Sequence, residues 1–425
     1  MLQEIFNTMW TKITSAVIAL LILILTTQYL GADGRGLVSL IYSSIGIIGI
    51  FAGFVGGPAV IYLASKKKMQ YLIFPIYTWT IFIAICGAVV LWVLRLVPDI
   101  YILQTAILSI TSFIFYMNLY LLIGHRKVRI NNTIYLFQWI FNLIVLGCFF
   151  TVLNQPYVEY VVIALFVSNI SGIALTFIEL KKIAGLTPFQ WSEEWEVIKS
   201  LVSFSFYAQA ALIMYYLYFR LGIFLLNAYY GLSATGIYSV GVNIAEFILL
   251  ASQSIALVAY SRISNTSDRE FSKNITIRLA KTGLLITLGI TIVILLIPSW
   301  IYLLIFGKDF VEVPGIVMCM GPGIVAFGFS VIILNYFSGI GNYKVTVVAA
   351  GLGLCATIVS GYLLIPVFGM YGAAIAASIS YIVMSVVLLV FFMGETDSKV
   401  NDFWFRKTDY LILMERMRYL FSRNE

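Results

Sequence analysis

Charged residues are scarce in this sequence. Asp, Glu, Lys and Arg together make up 11% of the 425 residues, whereas hydrophobic residues make up 61%. Soluble domains carry about 25% charged residues, and the mean hydropathy of this chain is +1.00. Water is therefore excluded as the main solvent of the folded chain.

Histidine and cysteine are also rare. The single histidine, His125, lies in a basic stretch beside Arg126 and has no second ligand or nucleophile nearby in the sequence, which argues against a catalytic or metal-binding role. The four cysteines fall inside apolar stretches, where oxidants rarely reach and Cys packs as a small hydrophobe. They are Cys86, Cys148, Cys319 and Cys355. We predict free thiols, no metal site and no cofactor.

The sequence does contain long apolar stretches, each close to the ~20 residues that one membrane-spanning helix needs. They lack the strict alternation of a membrane barrel strand, so we predict an all-α membrane protein with about twelve transmembrane helices. The predicted spans are 10–30, 38–64, 71–94, 100–123, 132–153, 157–180, 199–227, 234–260, 281–306, 314–338, 345–366 and 368–393.

Basic residues sort to one side of these spans. With the N-terminus in the cytoplasm, all but four of the 26 Lys and Arg residues fall on the cytoplasmic side; Arg35, Arg95 and Lys308 fall outside, and Arg220 falls within a span. Cytoplasmic connections are enriched in Lys and Arg, so we predict that both termini are cytoplasmic. The net charge of +7 follows from this bias and needs no nucleic-acid partner.

An internal repeat divides the chain. The segments 31–40 (GADGRGLVSL) and 231–240 (GLSATGIYSV) share the pattern G-x4-G-aliphatic-x-S-aliphatic. Each follows the first helix of a predicted half, so we predict two parallel six-helix bundles around a central cavity. The predicted domains are an N-terminal bundle at 1–186, an interfacial connector at 187–198, a C-terminal bundle at 199–393 and an amphipathic cytoplasmic tail at 394–425.

These motifs resemble those of a polysaccharide flippase, the O-antigen or Wzx type, of the multidrug/oligosaccharidyl-lipid/polysaccharide exporter superfamily, which also contains the MATE transporters. The resemblance rests on GADGRG at 31–36, GIYS at 236–239, GIGNYK at 339–344 and IPVFGMYGAAIAASIS at 365–380. Many relatives place an Asp two positions after an Arg in helix seven, whereas Arg220 is followed there by Gly222.

The resemblance implies a flippase of the bacterial cytoplasmic (inner) membrane. Its substrate would be a polyprenyl-pyrophosphate-linked oligosaccharide, moved to the outer leaflet by alternating access for cell-surface polysaccharide biosynthesis. A polysaccharide polymerase or glycosyltransferases would be its protein partners, and membrane lipid would surround it. The alternatives are a cation- or proton-coupled multidrug exporter of the same superfamily and a membrane enzyme of polysaccharide assembly. We predict no enzymatic activity, because no outer connection carries a His/Asp catalytic group.

Ionisable residues at membrane depth are candidates for function. Arg220 is a candidate for the substrate phosphates, and Glu246 is a candidate for proton or cation coupling. A structural ion pair between them is the alternative. Asn243 and Gln253 share a helical face with Glu246 and would bind substrate, or else bond a neighbouring helix. Arg35 would face the mouth of the cleft, or lie in a solvated turn.

Glycine and proline within two spans predict bends that would open and close the cavity, because they weaken the backbone hydrogen-bond ladder. The candidates are Gly56, Gly57 and Pro58 in helix two, and Gly321, Pro322 and Gly323 in helix ten.

Overall fold

The computed structural model describes residues 2–64, 69–183 and 194–404. The regular secondary structure of these residues is all helical, without a strand. The helices are α1 Leu2–Ala52, α2 Gly57–Ala64, α3 Gln70–Val93, α4 Asp99–Gly124, α5 Val128–Gly147, α6 Val158–Lys181, α7 Glu194–Ile263, α8 Arg269–Leu295, α9 Ser299–Phe306, α10 Val313–Gly339 and α11 Tyr343–Thr396. Shorter turns of 3-10 helix lie at Gly53–Val55, Lys308–Phe310 and Val400–Phe403, and a π-helical turn lies at Cys148–Val152.

Three of these helices are interrupted by one glycine with a positive φ. Gly31 in α1 has φ 66°, Gly231 in α7 has φ 77° and Gly369 in α11 has φ 56°. Residues with a side chain rarely adopt this left-handed region. A single glycine therefore changes the direction of each long helix. At Gly31 and Gly231 the predicted spans left a turn of several residues, whereas Gly369 was predicted to lie within the last span.

Contacts across these glycines show that each helix folds back on itself. The Thr357 Oγ1 donates a hydrogen bond of 2.8 Å to the Ser380 Oγ, so two residues nearly equidistant from Gly369 meet. The Arg35 Nη1 donates to the Thr26 Oγ1 across Gly31 in the same way, at 3.3 Å. Each long helix is therefore a hairpin of two antiparallel arms.

Nine helical elements among the described residues are long and apolar enough to cross a membrane. Three of them are the hairpins, with 46, 55 and 54 residues, which is enough for two crossings of ~20 residues each. The all-α membrane fold is thus confirmed, and the chain is a multi-pass membrane protein. The count of twelve crossings stays a prediction with which these lengths agree.

Two predicted boundaries are wrong. The ninth span was predicted at 281–306, but α8 covers Arg269–Leu295 and a separate short helix covers Ser299–Phe306. The Asp268 Oδ1 caps α8 by accepting a hydrogen bond from the Phe271 N–H. The helix therefore begins among charged residues that hydropathy assigns to a connection.

The predicted connector at 187–198 is described only in part. Residues 187–193 lie outside the described residues, and 194–198 already belong to α7. Most of the predicted tail, 405–425, likewise lies outside the described residues. The four domain boundaries stay predictions.

The two halves of the repeat lie side by side. We call residues 2–183 the first half and residues 194–404 the second half. The hairpin α1 packs along the hairpin α7, and the equivalent residues Leu40 and Val240 are both fully buried at this contact layer. We call the end that holds Gly31, Gly231 and Gly369 the glycine end. The opposite end, with Arg262 in the last turn of α7, is the basic end.

The second predicted span, 38–64, is interrupted at its predicted bend. After α1 ends, Gly56 is extended at φ −153° and ψ −158°, and Gly57 has φ 57°. The Gln209 side chain of the second half is buried against this break, where a Cβ on Gly53 would lie 2.9 Å from its amide nitrogen and oxygen. The side chain of Pro58 is outside the described ones.

The second predicted bend is not broken. Helix α10 runs continuously through Gly321, Pro322 and Gly323. The Gly323 N–H donates a hydrogen bond of 2.8 Å to the Ser378 Oγ of α11. A side chain of a neighbouring helix thus bonds the backbone beside the proline, as helices in membranes commonly arrange.

Candidate functional site

A polar chamber of about 80 Å³ lies between the two halves. Both hairpins line it, and the lining residues are Arg35, Ser39, Tyr42, Ser43, Tyr216, Arg220, Ile223, Ser239 and Asn243. Ser39 and Ser239 occupy equivalent positions of the repeat, as do Ser43 and Asn243. The chamber is therefore built by the duplicated segment, which contributes polar side chains from both sides.

Arg35 is buried in this chamber and is not in a solvated turn. Because the helix resumes directly after Gly31, Arg35 lies in its first turn and only 5% of it is exposed. Beyond the bond to Thr26, its Nε has no hydrogen-bond partner, and it forms no ion pair with a carboxylate of the described residues. A buried cation without a carboxylate partner is costly in a dry interior.

Arg220 and Glu246 form an ion pair between the two arms of α7. The Arg220 Nη2 lies 2.8 Å from the Glu246 Oε1, and their side chains are 21% and 34% exposed. The guanidinium also lies 5.8 Å from the centre of the Tyr216 ring. The Tyr216 hydroxyl donates to the Ser43 carbonyl oxygen of the first half at 3.2 Å. Tyr216 thus links this ion pair to the other hairpin.

The chamber is closed at the glycine end by direct backbone contact. A Cβ on Gly36 would lie 2.8 Å from the Leu232 carbonyl carbon, and one on Gly236 would lie 2.9 Å from the Ala32 carbonyl carbon and from the Gly36 nitrogen. Carbon atoms normally stay ~3.5–4.0 Å apart. The first turns of the two equivalent arms therefore touch as closely as only glycine permits.

Exposure increases toward the basic end along one face of α7. Ser239 is 1% exposed at the chamber, Glu246 is 34% exposed, Leu250 is 40% exposed and Leu257 is 51% exposed. Gln253 lies between the last two and is also exposed. This face thus changes from enclosed at the glycine end to accessible at the basic end.

The predicted site residues are only partly brought together. Arg35, Arg220 and Asn243 line one chamber, and Glu246 lies beside it through its ion pair. The Asn243 side chain donates to the Ser239 carbonyl oxygen at 2.6 Å within its own helix. Gln253 is not among the chamber residues.

Six lining residues were not proposed as site residues from the sequence: Ser39, Tyr42, Ser43, Tyr216, Ile223 and Ser239. The repeat contained the signal for two of them, because the offset of 200 residues maps Ser239 onto Ser39 and Asn243 onto Ser43. Tyr216 lies four residues before Arg220, on the same face of its helix.

Gly222, two positions after Arg220, is enclosed. A Cβ on Gly222 would lie 2.9 Å from the Tyr238 hydroxyl oxygen. A carboxylate at this position would have to displace Tyr238, which is 1% exposed. The carboxylate of this region is Glu246 instead.

The charges of the chamber do not cancel. Two guanidinium groups face it, and one carboxylate is paired with one of them. Guanidinium groups bind phosphate and carboxylate oxygens through two parallel hydrogen bonds. The chamber is thus suited to an anionic group, although its volume is below the ~300–1,000 Å³ of sites that enclose a drug-sized ligand.

No protein-family model and no curated protein matches this sequence. Solved structures do resemble it. One is the lipid II flippase MurJ in an inward closed conformation, at 16% identity and a TM-score of 0.73, covering 95% of this chain and 89% of that one. Another is an inward-facing multidrug resistance MATE family transporter of the MOP superfamily, at 13% identity and a TM-score of 0.71, covering 90% and 94%.

A third similar structure is a MOP superfamily transporter from Pyrococcus furiosus, whose binding pocket is described as having reverse polarity. It is 13% identical, with a TM-score of 0.59 and coverage of 91% of this chain and 95% of that one. At these identities the likeness establishes the fold. The chain has the fold of the MOP superfamily transporters over nearly its whole length.

Proposed function

We propose that this protein is a transporter that flips a lipid-linked oligosaccharide, with a polyprenyl pyrophosphate as its anionic group, from the cytoplasmic to the outer leaflet. The observation that carries the proposal is the unbalanced positive charge between the halves, with Arg35 and Arg220 opposed by one carboxylate. The MOP fold and the likeness to a lipid II flippase support it.

Flipping requires a wet path for the sugars and phosphates, because burying charged and hydroxyl groups in hydrocarbon is prohibitive. The accessible face of α7 toward the basic end would admit the head group from the cytoplasm, while the lipid tail stays in the bilayer. Arg35 and Arg220 would bind the pyrophosphate at the closed end of this path. Separation of the glycine end would then release the head group outward.

Glu246 would couple transport to protons or a cation. Its carboxylate neutralises Arg220 through a contact of 2.8 Å. A phosphate oxygen that takes this place on the guanidinium would leave Glu246 without its partner. Binding a proton or a cation would then neutralise the carboxylate. Gln253 and Asn243 would contact the sugar hydroxyls along the same face.

The bends have proposed roles too. The helix break at Gly56 and Gly57, with Pro58, would act as a hinge. It would let the basic end of the first half move relative to Gln209 of the second half. Gly321, Pro322 and Gly323 would bend α10 in another state of the cycle. We further propose the bacterial cytoplasmic membrane as the location, with both termini in the cytoplasm and with glycosyltransferases or a polysaccharide polymerase as functional partners.

A multidrug exporter is the second candidate, because MATE transporters share the fold. A cavity for organic cations should present unpaired carboxylates, since these attract positive charge. The chamber presents Glu246 already paired and Arg35 unpaired. A membrane enzyme of polysaccharide assembly is disfavoured, because the residues that line the chamber do not include a nucleophile paired with a general base.

Arg220 gives the deciding test. In proteoliposomes with a fluorescent short-chain polyprenyl-pyrophosphate oligosaccharide, Arg220→Ala should lower the flipping rate by about ten- to a hundredfold, the worth of one charge-assisted contact of ~1.5–3 kcal/mol. Arg220→Lys should restore only part of the rate, because it retains the charge and the pairing with Glu246 but loses the fork.

Arg95→Ala is the matched control, because Arg95 is an exposed arginine in the connection between α3 and α4. It should flip at the parental rate. Thermal unfolding in detergent separates a transport defect from a folding defect. Full activity of Arg220→Ala would refute phosphate binding at this residue. Transport of an organic cation in place of the lipid would favour the exporter.

A further inference from the structure

A short segment of the second half lies over the hairpin tip of the first half. It consists of α9 and the following 3-10 turn, residues 299–310, and we call it the capping segment. It contacts α1 near Gly31 at the glycine end. Neither the charge of the chamber nor the proposed substrate accounts for it.

The first arm of α1 caps the end of α9. The Gln28 Nε2 donates hydrogen bonds to the carbonyl oxygens of Leu304 and Ile305, at 2.9 and 2.8 Å. These carbonyls belong to the last turn of α9, where a helix leaves carbonyl groups without backbone partners. A side chain of the first half thus satisfies orphan acceptors of the second.

The capping segment in turn caps the second arm of α1. The Asp309 Oδ2 accepts a hydrogen bond of 3.1 Å from the Ala32 N–H. Ala32 directly follows the kink, so its N–H belongs to the first turn of a new helical arm, where donors are unpaired and the helix dipole favours a carboxylate. The two halves therefore cap each other's helix ends reciprocally.

The capping segment belongs to the second half, between α8 and α10. The Tyr302 hydroxyl donates a hydrogen bond of 2.8 Å to the Ile294 carbonyl oxygen of α8, and α9 also contacts α10. Just beyond the segment, Glu312 accepts a hydrogen bond from the Tyr371 hydroxyl. The segment is thus held to the second half by its chain connections and these bonds, while it also contacts α1 of the first half.

The position that the repeat makes equivalent, at the tip of hairpin α7, has no such cap among the described residues. There the connection between α3 and α4 faces the tip of hairpin α7, and a groove of about 410 Å³ separates them, lined by residues 95–99, Asn227 and Leu232. Leu232 corresponds to Ala32 in the repeat. Reciprocal caps thus exist on one side of the closed end and a groove exists on the other.

We propose that the capping segment is a one-sided latch that holds the glycine end shut, through the Asp309 contact with Ala32 and the Gln28 contacts with α9. Both sets of bonds join the halves, so they break when this end opens. The latch rests on the alternating access of the proposed function, but it does not depend on which cargo is carried.

Chemical labelling of the chamber tests the latch. The reporter is Ser239→Cys in a full-length chain whose four native cysteines are replaced by alanine, reconstituted in liposomes with an impermeant thiol reagent on one side. Asp309→Ala and Gln28→Ala should each speed labelling from the glycine-end side by about tenfold, the worth of ~1.4 kcal/mol in the closed-to-open equilibrium. Labelling from the basic end should slow.

Lys308→Ala is the matched control, because Lys308 is an exposed neighbour in the same turn, and it should label at the parental rate. Asp309→Asn keeps an acceptor oxygen and should fall between the parent and Asp309→Ala, which guards against a variant that fails to fold. Parental rates from the glycine-end side in both alanine variants would overturn the latch. This assay contains no cargo, so its failure is distinct from failure of the Arg220 test.

Discussion

Replacing Gly36 by alanine tests how the glycine end closes. A Cβ at this position would lie 2.8 Å from the Leu232 carbonyl carbon and 3.1 Å from the Gly236 nitrogen. The obstacle on both counts is backbone, which has no rotamer through which to move away. The arms that begin at Ala32 and Leu232 would have to separate by roughly 0.7 Å or more to reach the ~3.5 Å of a normal carbon contact.

The cost follows from this displacement. Overpacking a close contact costs about 1–3 kcal/mol, whereas alanine gains up to about 1 kcal/mol over glycine within a helix. The helical gain is common to the closed and the open state, whereas the overpacking cost falls on the closed state alone. The equilibrium should therefore shift toward the state with an open glycine end by about five- to a hundredfold, since 1.4 kcal/mol is a factor of ten.

The contact is shared, which sharpens the prediction. Gly236→Ala should have the same effect as Gly36→Ala, because its Cβ would lie 2.9 Å from the Gly36 nitrogen. Once one alanine has separated the arms, the second has less to displace. The double variant should therefore cost clearly less than the sum of the two single variants.

Labelling of the Ser239→Cys reporter from each side measures the equilibrium, and thermal unfolding measures stability. Gly289→Ala is the matched control, because this glycine lies within α8 and its added Cβ would meet nothing within 4 Å. It should label as the parent does and be no less stable. Equal behaviour of Gly36→Ala and Gly289→Ala, or strictly additive costs of Gly36→Ala and Gly236→Ala, would refute the backbone contact as the seal.

Two further predictions concern titratable groups. Glu246→Gln should abolish the dependence of flipping on pH or on a cation gradient, measured in proteoliposomes under imposed gradients; an unchanged dependence would place coupling elsewhere. Burial and then the charge of Lys127 lower the pKa of His125 from its ordinary 6.5, so the fold favours neutral His125. Stability should be lost as pH falls below about 6.5 toward the lowered pKa of the folded protein, and His125→Gln should flatten this part of the thermal unfolding profile; an identical slope in both proteins would contradict it.

Hydropathy was sufficient for the fold class because the bilayer imposes its thickness on every crossing helix. It failed where a helix extends beyond the apolar region. The first turns of α8 carry Arg269, Glu270 and Lys273, and hydropathy cannot distinguish a charged helix from a charged connection. The cap at Asp268 was the local signal, since an aspartate preceding a helix is a preferred N-cap.

The charged residues at membrane depth could be identified from the sequence, whereas most of their contacts could not. Arg220 and Glu246 were recognisable because ionisable residues are rare at membrane depth, and helical rise placed them within reach of each other. The burial of Arg35 could not be deduced from the sequence. The segment GADGRG at 31–36 is compatible both with an exposed turn of six residues and with a kink at Gly31 alone. Asp309 gave no signal at all, since its partner is the Ala32 N–H, a backbone group 277 positions away.

The asymmetry of the chamber has a steric basis as well as a chemical one. Glu246 corresponds to Gly46 in the repeat, and a Cβ on Gly46 would overlap the Tyr216 hydroxyl and lie 2.9 Å from its Cε2. Tyr216 is the residue whose ring lies beside Arg220 and whose hydroxyl bonds the first half at Ser43. The space that a second glutamate would need is therefore taken by the side chain that orients the arginine. The repeat has two equivalent backbones, and packing of Tyr216 against Gly46 allows only one of them to carry the carboxylate, which leaves Arg35 without a carboxylate partner among the described residues.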